Sequence, residues 1–291
     1  MIKIRLAVTI GCLVCEVVSF EIQPKSSQRK DERTPPAGNG QTISKGRDGR
    51  EVVFGSGTVA RRNFMFSDHS FRNISVDGPI DVLIANGGPL GIAELSVDVN
   101  WIDFIQVFLA DDDRTLVVRV ADDLQLVCPE GVQCQKVVFV HTLRLDRADL
   151  NADFASLSTP ANVRRFRTTV FEANLNNNDT RLAIEDLRVG GPTGSIALNV
   201  RQRGVAVLGG NVDGALVIKV DNLGNVETSR LLAQRVRVDI KENGFVTVFP
   251  LDALTVHIDN QGQARDPRDK ECCDAQDSCC MPLPTPPPFA P

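Results

Sequence analysis

Four alternating apolar triplets near the end of the chain constrain its fold more than any other feature. Ile196-Leu198-Val200, Leu216-Ile218-Val220, Val236-Val238-Ile240 and Leu254-Val256-Ile258 start 20, 20 and 18 residues apart, and Gly204, Gly224 and Gly244 recur between them at a spacing of 20. Alternation with a period of two marks a strand with one buried face. A fixed interval of this size is what stacked supersecondary units produce. A short stretch follows each glycine ("VAVL", "NVETS", "FVTV"), so every unit holds two strands or more joined by turns carrying Gly, Asn or Asp. An antiparallel meander also spaces strands evenly, yet nothing in it requires equivalent side chains to recur at one-unit intervals. Stacking at ~4.8 Å does require it, because equivalent positions then lie over one another. The expectation is an all-β domain folded as a parallel β-helix, or β-solenoid, with coils of about 20 residues.

Residues between the triplet members are mostly polar, as the outer face of such a coil would be, with Ala197 and Val217 the exceptions. One position per unit forms a predicted outward row of Asn199, Lys219, Asp239 and His257. Earlier in the chain, "VDGPIDVLIANGG" keeps Ile74, Val76, Gly78, Ile80, Val82 and Ile84 in one phase through a Gly-Pro pair. Proline removes a ladder donor, so Gly78-Pro79 is expected at a corner between two inward-facing strands, or on an exposed edge.

The core must be aliphatic, because the 291 residues are 42% hydrophobic but only 5% aromatic, with no tyrosine. Net charge is -5 with both signs interleaved, which argues against nucleic acid as a partner. Residues 1–19, with Lys3 and Arg5 ahead of an apolar run, are predicted to be a signal peptide, shorter than the ~20 residues a membrane span needs. Residues 20–50, polar and rich in Pro and Gly, are expected as a disordered linker. The β-helical domain follows at 51–262, and 263–291 is a disordered tail rich in Cys and Pro. In an oxidising compartment Cys128, Cys134, Cys272, Cys273, Cys279 and Cys280 are disulfide candidates, within or between chains. Two vicinal pairs in "CCDAQDSCC" do not have the separated spacing of a zinc site.

An ordered series of segments resembles a known family. "GSGTV" from Gly55, "FRNISVDGPIDVLIANGG" from Phe71, "LSVDVN" leading into "DFIQVFLADDDRTLVVRV", and "GGNVDGALVIKVDNLGNVETSRLLAQRVRVDIKENGFVTVF" are similar to the head GIN domain of putative auto-transporter adhesins, over about residues 55–262. The resemblance implies a right-handed parallel β-helix carried to the cell surface or periplasm, with no catalytic residues to transfer. The tail departs from that family and leaves the anchor open.

Little in the chain points to chemistry. His69, His141 and His257 lie in separate segments without a metal-binding neighbour, and no G-x-S-x-G elbow is present. The acidic runs 111–113 and 121–123 lack the alternating ligands of a calcium loop. No catalytic, metal or cofactor residue is therefore assigned. Asn73 and Asn178 fit the glycosylation sequon. The expected role is that of a secreted or cell-surface, non-catalytic protein engaged in adhesion or in binding a surface or matrix ligand, protein or glycan. Its alternatives are a carbohydrate-active lyase or hydrolase, and a structural stalk cross-linked between chains through the tail cysteines.

Overall fold

The computed structural model describes residues 43–45, 50–66, 71–85, 90–110, 114–122, 124–142, 144–159, 166–191 and 193–267. These residues form twenty strands. The first ten are β1 (Ile43–Lys45), β2 (Glu51–Phe54), β3 (Val59–Met65), β4 (Asn73–Asp77), β5 (Asp81–Ala85), β6 (Ile92–Asp98), β7 (Ile105–Leu109), β8 (Thr115–Val120), β9 (Leu124–Val127) and β10 (Lys136–His141). The rest are β11 (Arg147–Leu150), β12 (Ser156–Ser158), β13 (Phe166–Thr168), β14 (Val170–Leu175), β15 (Arg181–Val189), β16 (Ser195–Val200), β17 (Val205–Val220), β18 (Asn225–Ile240), β19 (Phe245–Ile258) and β20 (Gln263–Arg265). The small sheet is β1-β2-β9, and the other seventeen strands form one mixed sheet. Residues 20–50, expected as a linker, thus contribute β1, while β20 lies just beyond the expected end at 262.

The expected right-handed parallel β-helix with coils of about 20 residues is corrected by the strand pairing. β3 and β10 both lie antiparallel to β6, and β7 lies antiparallel to β8, so the large sheet is mixed and wraps a single core in a nearly closed, barrel-like form. Nor is the interval constant. Val170 of β14 sits beside Ser195 of β16, and Arg181 of β15 beside Val205 of β17, offsets of 25 and 24. The 20-residue offset begins only with Ser195 beside Ala215 of β17 and continues with Val205 beside Asn225 of β18 and Asn225 beside Phe245 of β19. The periodic sequence covers the last strands, where parallel pairing demands it. Antiparallel neighbours impose no such repeat, and the N-terminal half shows none.

Across the parallel strands the inward residues stack into columns. One runs Leu116, Ile74, Ala148, Ala173, Leu198, Ile218, Val238 and Val256, neighbour by neighbour. A second, on another wall, runs Val82, Leu157, Leu182, Ala206, Val226, Val246 and Ala264. All but Val256 are buried. Complete burial of a Val, Leu or Ile side chain stabilises by about 1.5–3 kcal/mol, so each aliphatic step of these columns contributes to holding the walls together. Along Ala253–Ile258 of β19 the described residues pair on one side only, with β18, and Leu254, Val256 and Ile258 are accordingly half-buried.

Gly78-Pro79 forms the corner between β4 and β5, closed by the Ile80 N–H donating to the Gly78 carbonyl at 2.8 Å. Both flanking strands face the core, so the apolar phase continues while the chain turns from one wall to the next. A Cβ at Gly78 would lie 2.4 Å from Val120 Cγ2, which excludes every larger residue. The recurring glycines of the last units follow the same logic. They do not carry the positive φ of their turns. That falls two residues earlier, at Gln202, Asn222, Glu242 and Asn260, with φ between 53° and 67°. Gly244 is required instead by close approach, because a Cβ there would lie 2.5 Å from Val220 Cγ1 of the preceding unit.

A buried carboxylate fastens the N-terminal strands. Asp98, at the end of β6, is 0% exposed. It accepts the backbone N–H groups of Ser56 at 2.8 Å, Gly57 at 2.6 Å and Asn100 at 3.0 Å, and the Ser56 hydroxyl at 3.2 Å. Its charge is met by these donors, since among the described residues it has no ion pair. Beside it the Trp101 indole N–H donates to Val53 O at 3.0 Å, and Asn100 Nδ2 to Phe54 O at 2.9 Å, so the turn after β6 grips the small sheet.

Two pairs of stability measurements follow. Gly244→Ala should lower the unfolding free energy by about 1–3 kcal/mol through overpacking against Val220. Two residues away, Glu242→Gly should raise it by about 0.5–1 kcal/mol, because a left-handed L-residue is strained. Denaturant midpoints of the two variants should therefore move in opposite directions. Asp98→Ala removes the acceptor of three partly buried N–H donors and should cost about 1–3 kcal/mol, whereas Asp98→Asn, which keeps one acceptor, should cost less.

Candidate functional site

The predicted outward row lies in one register. Asn199, Lys219, Asp239 and His257 are successive partners across β16 to β19, and the row extends backward through Asn174 and Asp149. Asn199 Nδ2 donates to Asn174 Oδ1 at 2.7 Å, and Asn174 Nδ2 donates to Asp149 Oδ1 at 2.7 Å. Each acid of the row is answered on its own strand: Arg147 Nε donates to Asp149 at 2.8 Å and Arg237 Nε to Asp239 at 3.1 Å. The hydrogen bond to Asp149 raises the pKa of Arg147 above its ordinary value; the charges of Asp149 and Glu172 add to this and partial burial opposes it. His257 is exposed and lies 3.4 Å from Asp259, two residues on. These contacts tie neighbouring strands together, and the acids of the row are occupied as acceptors.

A different part of the sheet holds a cleft. Its volume is about 430 Å³, and its wall is formed by β13, β15 and β17 together with the segment leading into β11. Local alternation places the side chains. In "FRT" Phe166 and Thr168 are buried and Arg167 is exposed; in "LRV" Leu187 and Val189 are buried and Arg188 is exposed. β13 and β15 pair in parallel with Arg167 opposite Arg188, and Arg188 lies opposite Asn211 of β17, so the three form one outward row. A register shift between Ile184 and Leu187 brings the later part of β15 into this alignment.

The other cleft groups are held in place. Arg144 Nε donates to Asp146 Oδ1 at 2.7 Å, and the Thr168 hydroxyl donates to the same carboxylate, with Val170 O as its alternative acceptor. Asp213 accepts Asn211 Nδ2 at 2.9 Å and the Gly191 N–H at 3.2 Å. By contrast, Arg167 and Arg188 form no ion pair or side-chain hydrogen bond among the described residues. Two solvent-facing guanidinium groups on adjacent strands, next to an oriented third and a single facing carboxylate, suit an anionic ligand.

Of the residues singled out in the sequence, Cys128 and Cys134 are joined in a disulfide with Cα atoms 5.8 Å apart, in the segment between β9 and β10. Cys134 packs against the turn at Gly55, where an added Cβ would lie 2.5 Å from its sulfur. Cys272, Cys273, Cys279 and Cys280 lie outside the described residues, as do His69, the acidic run 111–113 and the signal segment. Asn73 is half-buried in β4 and donates from Nδ2 to Thr115 Oγ1 at 3.2 Å; Asn178 is half-buried in a turn, its N–H donating to Asp153 at 3.0 Å. Among the described residues no group of three or more His, Cys, Asp or Glu side chains is arranged to hold a metal. Sequence reasoning missed Arg144, Arg167, Arg188, Asn211 and Asp213. An outward arginine at the same phase in "FRT" and "LRV" was the available signal, but those strands precede the regular repeat, so their partnership was not countable.

Comparisons with known proteins agree with the fold. The crystal structure of a "putative adhesin" from Bacteroides fragilis aligns with a TM-score of 0.60 at 13% identity, over 72% of this chain and 89% of that one. A "putative lipid binding protein" from Parabacteroides distasonis aligns with a TM-score of 0.50 at 14% identity, over 74% and 94%. At such identities the likeness is one of fold alone. Among curated proteins no relative matches the chain. A family model described as "Putative auto-transporter adhesin, head GIN domain" matches residues 70–265, more than half of the sequence, and the chain belongs to that family.

Proposed function

We propose that the chain is an exported surface or matrix protein that binds a ligand through its outer sheet face and carries out no catalysis. The observation that carries this reading is the cleft beside Arg167 and Arg188: it offers charged and hydrogen-bonding groups to a ligand, while the acids near it, Asp146 and Asp213, are already engaged as acceptors. A hydrolase or lyase needs a positioned acid and base facing the same bond. The family description as an adhesin supports the binding role. The apolar N-terminal segment and the Cys128–Cys134 disulfide support export, because such bonds persist in oxidising compartments. Trp101 is buried against Val53, so sugar stacking on that ring has no part in the reading. In it, the tail cysteines Cys272, Cys273, Cys279 and Cys280 form disulfides that link chains or secure the tail.

Two measurements test the reading. In cells that produce the full chain, the protein should be recovered outside the cytosol without its first residues, and thiol alkylation should leave Cys128 and Cys134 unlabelled. Cytosolic retention with free thiols would overturn the export reading. The immobilised full chain should bind saturably to at least one member of a panel of glycans, matrix proteins and lipid vesicles, the vesicles being included because one structural neighbour is described as lipid binding. Binding to none of them would overturn the ligand-binding role.

A further inference from the structure

We propose that the cleft between β13, β15 and β17 recognises an acidic sugar residue, with Arg167 and Arg188 holding its carboxylate and Asn211 and Asp213 its hydroxyl groups. This assignment rests on the ligand-binding reading given above and names the ligand class for it.

The charge pattern selects the anion. Arg167 and Arg188 are direct partners in a parallel pair, so their backbones stand ~4.8 Å apart and both side chains leave the same face. Like charges this close raise each other's energy unless an anion lies between them, and no carboxylate fills that place among the described residues. A carboxylate spanning the two guanidinium forks would gain charge-assisted hydrogen bonds from both. Arg144 adds a third cation, and its orientation is set in advance by Asp146, itself braced by Thr168. Three arginines and one acid, Asp213, line the cleft, and Asp146 behind Arg144 offsets that arginine's charge, which leaves a formal excess of one positive charge (three minus two) centred on Arg167 and Arg188.

The remaining groups narrow the class. Asp213 is a poor neighbour for a ligand that is anionic all round, such as inorganic phosphate or sulfate. Its two oxygens use one lone pair each on Asn211 and Gly191 and can accept further hydrogen bonds from ligand donors. Asn211, next in the row after Arg188, presents an amide oxygen as well as its donor. A ligand with a carboxylate at one end and hydroxyl donors at the other satisfies both halves of the cleft. Uronic and sialic acid residues have that arrangement. A volume of about 430 Å³ accommodates one such residue with its linkage open to solvent.

The test measures binding of the full chain to oligogalacturonate and sialyllactose, each beside its neutral counterpart (the carboxyl-reduced oligomer and lactose), with inorganic phosphate and anionic phospholipid vesicles in parallel. The expected result is that at least one acidic sugar binds, its neutral counterpart binds about tenfold or more weakly, and Arg167→Gln/Arg188→Gln together remove the difference. Asp213→Asn should weaken the acidic sugar while leaving phosphate binding unchanged or stronger. Both arginines are exposed, and an unchanged thermal midpoint verifies the fold of the double variant. Equal binding of phosphate or vesicles, lost in the same double variant, would overturn the sugar assignment in favour of a general anion site. Sugar or matrix binding that the double variant leaves intact would overturn the cleft but keep the ligand-binding role. Binding to nothing on the broader panel would overturn both.

Discussion

Parallel register is the constraint on which the rest of this structure depends. Once two parallel strands pair, residues at equivalent positions become neighbours, and a residue that is inward on one strand is inward on the next. The column from Leu116 to Val256 shows the consequence: eight strands contribute only Leu, Ile, Val and Ala to it. A charged residue at any step would be buried against aliphatic neighbours above and below. The same rule applies outside, where amides stack on amides and hydrogen-bond along the row, as Asn199 does on Asn174. It also explains the glycines. Gly244 is small because the valine of the preceding unit, Val220, occupies the space its side chain would need.

The N-terminal half solves a different problem. There the strands reverse direction, β6 lies between two antiparallel partners, and no repeat of side chains can hold them in place. Specific polar contacts replace it. Asp98, Asn100 and Trp101 gather the turn at Ser56 and Gly57 and the end of β2 onto the large sheet, and the Cys128–Cys134 bridge packs against that turn. A buried carboxylate with four donors is directional in a way that an aliphatic column is not, so around the antiparallel strands hydrogen bonding adds to the packing of the columns.

The outer surface divides by the same logic. Where the row runs through Asp149, Asn174 and Asp239, same-strand arginines and cross-strand amides answer the acids, and the surface is closed on itself. At β13 and β15 parallel pairing instead sets two arginines side by side without an answering acid. A sheet face rigidly held by its core can keep such a pair open toward solvent, ready for a ligand, at little conformational cost on binding.

The sequence by itself determined the strand period, the inward residues of the last four units, the aliphatic character of the core and the family. It also narrowed Gly78-Pro79 to a corner or an exposed edge, because phase continuity across a proline leaves few alternatives, and the fold made it the corner between β4 and β5. These are local properties, written in spacings of two and twenty. Tertiary structure alone decided which strands pair in which direction. Antiparallel joints leave no periodic trace, so the N-terminal half was read as a continuation of the coils when it is a mixed sheet. The same holds for the site. Arg167 and Arg188 are far apart in the chain, each an ordinary outward arginine of its own strand, and only the pairing of β13 with β15 makes them neighbours. Asp98 likewise reads as one more turn acid until the fold buries it under the Ser56 and Gly57 amides, because burial and partnership belong to the assembled sheet.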